Sequence, residues 1–187
     1  MQSRRAFLIA GSAALAGCGF ETPGPFANVG RDIDDVALTS SAGESVRWRD
    51  LSGGPRAVFF GFTHCPVICP VTVYELTAAM ERTGASALRI HFITVDPERD
   101  TPERMREYFS GFGPSVTGFT GEADALRRVW DAFEITATRT ALDNGGYTID
   151  HTATVFLLSG AGRVQDVVAY GAEPEVLDQR VRALVSR

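Results

Sequence analysis

The stretch that decides the fold is Ala57-Val58-Phe59-Phe60-Gly61-Phe62-Thr63-His64-Cys65-Pro66-Val67-Ile68-Cys69-Pro70. Its first six residues are a continuous apolar run, the pattern of a strand buried on both faces. A helical pattern follows, with Val73, Leu76 and Met80 on one face. Pro70 suits the first helical position, which predicts Cys69 as the N-cap. Two cysteines four residues apart thus lie where a buried strand hands over to a helix. Such a pair can close a disulfide or clamp a soft metal ion.

Working outward, further elements fall into an alternating order. Val36 to Ser40 and Ser45 to Trp48 read as a hairpin turning at Ala42-Gly43. Leu88 to Val95 is a second apolar strand, ended by Asp96-Pro97. Thr101-Pro102-Glu103 starts a helix whose face is Met105, Tyr108, Phe109 and Phe112. Leu126, Val129, Trp130 and Phe133 mark another by the same spacing. Asp143-Asn144-Gly145-Gly146 is a turn. Ala153 to Leu158 and Val164 to Tyr170 form two strands around Ser159 to Gly162, and Pro174 opens a last helix through Val176, Leu177, Val181 and Leu184. Strands followed by helices, then a hairpin and a final helix, predict an α/β fold with a mixed central sheet flanked by helices.

The N-terminus reads as a targeting segment. Ser3-Arg4-Arg5-Ala6-Phe7-Leu8 is a twin-arginine pattern, and the apolar run Ala6 to Ala16 is too short to span a bilayer. Leu15-Ala16-Gly17-Cys18 resembles the lipobox of bacterial lipoproteins, in which the cysteine carries the lipid. Residues 1–18 are therefore expected to be a lipoprotein signal peptide with its lipidation site at Cys18. Residues 19–31, rich in Pro and Gly, are expected to be a tether, and 32–187 a single domain. The expected location is the bacterial cell envelope, lipid-anchored to the membrane and facing the periplasm or extracytoplasmic space.

With Cys18 given to lipid, Cys65 and Cys69 remain as a pair in an oxidising compartment. A disulfide across so short a loop constrains the unfolded chain little, and a body of roughly 150 residues needs no staple. Redox or metal chemistry explains the pair better. Net charge is −5, with no lysine and no basic run, which argues against a nucleic-acid partner. A thiolate at a helix start is stabilised by the dipole, and this favours disulfide exchange and metal binding alike. A metal held by two thiolates wants one more ligand, and soft sulfur with imidazole suits copper. Three histidines are available. His91 lies inside an apolar strand and reads as packing or a sheet-edge residue. His64 adjoins Cys65 and is expected to order the loop rather than ligate. His151, at the start of a core strand, is either structural or the third ligand.

Three segments together resemble the Sco/SenC family of copper-binding, thioredoxin-fold proteins. Gly61 to Pro66 with Cys69-Pro70 is similar to the family's copper loop. Thr94-Val95-Asp96-Pro97-Glu98-Arg99-Asp100-Thr101-Pro102-Glu103 is similar to its second signature, and Thr148-Ile149-Asp150-His151 to the segment with its distal histidine. The resemblance implies a thioredoxin-like fold and copper, as Cu(I) or Cu(II), held by Cys65, Cys69 and His151. It implies assembly of the binuclear copper site of cytochrome c oxidase subunit II, by delivering copper, by reducing that subunit's cysteines through a Cys65–Cys69 disulfide, or both. A thiol–disulfide oxidoreductase without copper and an assembly factor for another copper enzyme are the alternatives. Expected partners are the subunit's copper-site domain, a thioredoxin-like periplasmic reductant, another copper chaperone and the membrane. One departure stands out: Val67 occupies a position where family members commonly carry an acidic residue. The resemblance therefore implies weaker Cu(II) binding with Cu(I) binding intact.

Overall fold

A computed structural model describes residues 25–143 and 145–186. The twin-arginine pattern, the lipobox with Cys18 and the first part of the expected tether lie outside the described residues. Residues 25–30 form turns. Phe26 and Val29 pack against the core, and Gly30 N–H donates to Ala132 O at 2.7 Å. Among the described residues no helix is long and apolar enough to cross a membrane.

Nine strands and four helices follow among the described residues. They are β1 (Ala37–Ser40), β2 (Ser45–Arg47), a 3-10 turn (Trp48–Leu51), β3 (Arg56–Gly61), α1 (Ile68–Thr83), β4 (Arg89–Thr94) and α2 (Pro102–Phe109). Then come β5 (Val116–Thr120), α3 (Ala123–Ala132), β6 (Ala137–Ala141), β7 (Tyr147–His151), β8 (Thr154–Leu158), β9 (Val164–Ala169) and α4 (Pro174–Val185). Seven strands form one sheet in the order β2-β1-β5-β4-β3-β8-β9. The pairs β3–β4 and β4–β5 are parallel; β8 runs antiparallel to β3 and to β9. The sheet is mixed and flanked by helices, and the fold is thioredoxin-like. Strands β6 and β7 pair with each other in a separate hairpin.

All six residues of β3 are buried, as a central strand with both faces covered requires. Alternate residues face opposite layers. Phe59 meets Phe92, and Phe92 meets Phe109 of α2, on one face. Phe60 meets Phe133 and Phe156 on the other. Helix α1 packs along α4. Strand β5 has no counterpart in the sequence reading, and its Gly118 explains why. A Cβ there would lie 2.8 Å from both Met105 Sδ and the Phe109 ring, so α2 packs where a side chain would otherwise mark the strand. Of the apolar residues through which the last helix was expected to run, Leu177, Val181 and Leu184 of α4 are buried and Val176 is exposed.

Candidate metal centre

The carboxyl end of β3 runs into the loop 62–67, and the loop into α1. Helix α1 begins at Ile68 with Val67 as its N-cap, so Cys69 is not the cap but lies inside the first turn. The capping acceptor is a sulfur. Cys69 N–H donates to Cys65 Sγ at 3.4 Å, which gives an otherwise unpaired N–H of the helix start a partner. Cys65 N–H in turn donates to Phe62 O at 3.1 Å. Cys69 is fully buried and Cys65 nearly so, and the two are not bonded to each other.

Gly61, the last residue of β3, lets this sulfur sit so deep. A Cβ on it would lie 2.7 Å from Cys69 Sγ and 2.8 Å from the Phe92 ring. The two thiols share one proton unequally. Donation from the Cys69 thiol holds Cys65 down to about 4 against the effect of burial, with the backbone N–H groups of Cys69 and Val67 adding to it. The same contact, with burial, pushes Cys69 far up. Cys65 is the thiolate of the pair and Cys69 the proton donor.

His151 reaches the sulfurs from another element. It ends β7, not a core strand, three residues before β8 begins. Its Nε2 is 3.8 Å from Cys69 Sγ, and its Nδ1 lies 3.0 Å from Thr152 O. A carbonyl can only accept, so Nδ1 carries a proton, and in the neutral ring Nε2 is the nitrogen left to face Cys69 with its lone pair. The rings of Phe59 and Phe62 meet the imidazole edge to face. A soft ion bound at about 2.3 Å to sulfur and about 2.0 Å to nitrogen, with a trigonal angle, holds those atoms about 3.7 Å apart. The spacing of Cys69 and His151 thus suits a soft ion, and Cys65 adds a third donor of matching type. A cleft of about 330 Å³, lined by Pro66, Val67, Ile68, Ile149 and His151 among others, opens onto Cys65.

The other histidines are placed elsewhere. His91 is buried in β4, an interior strand rather than a sheet edge. Burial pushes its imidazole down to about 3, with Arg56 and Arg89 adding to the effect. His64 is exposed, with Nδ1 3.3 Å from Thr63 Oγ1 and 3.9 Å from Asp100. With Asp96 and Asp100 it forms a second cluster of potential metal-binding atoms. The carboxylates there are already engaged. Asp100 accepts from Thr63 N–H at 3.1 Å and from the hydroxyls of Thr63 and Thr94 at 2.7 Å each. Asp96 accepts from Arg99 and from the Tyr147 hydroxyl. Asp100 therefore anchors the loop that carries Cys65, a role the sequence reading did not assign to it. Its position inside a strand-end motif and the two threonines able to serve it were the available signals.

The hairpin bearing His151 is clamped to the same segment. The Arg99 guanidinium sits 3.6 Å and that of Arg139 3.4 Å from the Tyr147 ring centre, so the ring is sandwiched. Arg99 also donates to Tyr147 O at 3.1 Å. Arg139 pairs with Glu98 at 2.9 Å.

Residues 32–186 match the family model described as SCO1/SenC. Among curated relatives, the mitochondrial SCO1 homolog 1 of Arabidopsis thaliana is 33% identical over 140 residues, which are 73% of this chain and 42% of that protein. An SCO2-like protein of Rickettsia prowazekii is 36% identical over 130 residues, 67% of this chain and 63% of that one. The chain thus spans less than two thirds of the length of these relatives. The structure of Bradyrhizobium japonicum ScoI with copper bound is similar at a TM-score of 0.72 and 33% identity, covering 80% of this chain and 96% of that one.

Proposed function

From the premise that the chain belongs to the SCO1/SenC family, we propose that it is a copper-binding assembly factor whose ligands are Cys65, Cys69 and His151. The single observation that carries this reading is the approach of His151 Nε2 to Cys69 Sγ at 3.8 Å, lone pair forward. Disulfide exchange needs two sulfurs and has no use for an imidazole brought in from a separate hairpin. The solved Bradyrhizobium relative holds copper, which supports the same metal here.

The cargo passes to the binuclear copper site of cytochrome c oxidase subunit II, whose ligands replace these three in turn. A lipid on Cys18 holds the protein to the membrane, facing the periplasm, and a second copper chaperone supplies the ion. Copper stoichiometry of the reduced protein tests the ligand set. The natural chain is expected to bind one Cu(I), and His151→Ala to lose at least tenfold in affinity while keeping its rate of exchange with a small disulfide. Full copper affinity in that variant would sink the three-ligand reading.

The asymmetry of the thiols favours a second activity at the same site. An exposed-side thiolate at Cys65 and a buried protonated Cys69 are the attacking and resolving members that exchange requires. Cys65 attacks a disulfide of the target, and Cys69 then displaces the mixed disulfide. Two electrons and the Cys69 proton leave this chain, which becomes the Cys65–Cys69 disulfide, and the target's two sulfurs become thiols by taking that proton and one from solvent. A thioredoxin-like periplasmic reductant returns the pair to the dithiol.

A further inference from the structure

The opposite end of β3 carries a feature that copper chemistry does not use. Arg56, the first residue of the strand, is 1% exposed. Its Nη1 donates to Leu51 O at 2.6 Å, yet Nε and Nη2 have no hydrogen-bond partner among the described residues. A guanidinium keeps its charge under all ordinary conditions, so two charged N–H groups left unpaired away from water call for a ligand. Asp34 acts on it only through space. On the next strand and the same face of the sheet, His91 likewise leaves Nδ1 without a partner among the described residues.

Arg56 lines a cleft of about 520 Å³ between the segment 30–35, the 3-10 turn and the Ser159–Arg163 turn. The orphaned Nη2 lies beneath the cleft wall: a Cβ built on Gly162 would be 3.0 Å from it and 3.5 Å from Ser52 Oγ. The rim brings Arg31 and Arg163, with Arg49 beside Asp50. Asp32, Asp34 and Asp35 also line it, but Asp35 is held from outside by Arg128 at 3.0 Å. Cations therefore outnumber the remaining acids.

We propose that this cleft takes a small oxyanion of the phosphate class, with Arg56 as its anchoring donor and Ser52 beside it. A planar fork with two free N–H groups matches two oxygens of such an anion. The nitrogens are covered in the structure, so binding requires the turn Ser159–Arg163, held by backbone bonds such as Gly53 N–H to Gly160 O at 2.9 Å, to shift. A free anion and a phospholipid headgroup share this chemistry. Residue 25 follows Cys18 by seven residues, a span of at most roughly 25 Å, and the turns 25–30 lead from it to Gly30 on the cleft wall, so a headgroup is within reach of an anchored chain.

The Arg56 Nε–H signal in nitrogen–proton correlation spectra of the full chain tests this directly. Inorganic phosphate is titrated in one arm and dihexanoyl phosphatidylglycerol, below its micelle concentration, in the other. A saturable shift at Arg56 and Gly162, with Cys65 and His151 unmoved, is the expected result. A response to phosphate identifies a free anion, and a response to the lipid alone identifies a headgroup. Arg56→Met is expected to abolish the Gly162 shift, and Arg56→Lys to weaken binding at least tenfold. Should Arg56→Met fail to fold, the wild-type Arg56 signal and the lysine variant decide. No saturable shift with either probe, or an unchanged Gly162 shift in Arg56→Met, overturns the proposal.

Discussion

Cys69 is fully buried at the point where a central strand of the seven-stranded sheet meets α1, whereas His151 stands half-buried at the end of a two-stranded hairpin outside that sheet. The sulfur is placed by the core. The side chain that Gly61 lacks leaves the space that the sulfur and the Phe92 ring occupy, and the helix start orients it. The imidazole is placed by side chains on polar segments: Tyr147 against Asp96, Arg99 between Tyr147 and Phe62, and Arg139 against Glu98. The two halves of the proposed ligand set should therefore respond differently to damage. Injury to the core should move sulfur chemistry and stability together. Injury to the clamp should move the histidine alone.

The largest effect is expected from Gly61→Ala. Its methyl would meet Cys69 Sγ at 2.7 Å and Phe92 at 2.8 Å, and neither neighbour is the free end of a flexible chain. Overpacking of this kind costs about 1–3 kcal/mol. Melting temperature, thiol reactivity at Cys65 and copper affinity should all change together. A variant that melts like the natural chain and binds copper as well would show that the sulfur is not held by the core.

A smaller and more selective effect is expected from Tyr147→Leu. It removes the hydroxyl bond to Asp96 and the ring between two guanidinium groups, together about 1–2 kcal/mol of local ordering. Copper affinity should fall by roughly fivefold to thirtyfold, the factor that corresponds to that energy. Reactivity of Cys65 toward an alkylating agent should stay within about twofold of the natural chain, because Tyr147 touches neither sulfur in the structure. Equal losses in both readouts would erase the distinction between the two regions.

The same division explains what could be read from the sequence. Strands β3 and β4 and the four helices announce themselves because burial imposes apolar runs or a helical period on them. The Ala137–Ala141 strand carries no such mark. Four of its five residues are exposed. Without that hairpin in view, His151 could be placed only at the head of a core strand, and its candidacy rested on family resemblance. The cap at Val67 was hidden for another reason. A sulfur two residues upstream does the work expected of a Ser or Asp, and Pro70, a signal for the first helical position, lies further inside. Asp100 needs the loop to fold back before its three donors meet.

Val67 lies between the two regions and offers the finest test. It is the N-cap of α1, 54% exposed, and it shares the cleft with His151 and Cys65. An apolar side chain there would give no oxygen to an ion held by the proposed sulfur and nitrogen ligands. Cu(I) accepts such a soft, three-donor environment, whereas Cu(II) gains from an added hard ligand. Val67→Asp places a carboxylate at the helix N-cap, where it can also accept from the first-turn N–H groups. Stability should therefore hold or rise by at most about 1 kcal/mol. Cu(II) affinity should rise while Cu(I) affinity changes little, as read by competition with a chelator of each ion. If the substitution left both affinities unchanged, the introduced carboxylate would be serving the helix alone. The ion would then be closed to a fourth donor from the helix side, and the hairpin that carries His151 would be the one flank of the cleft still able to supply it.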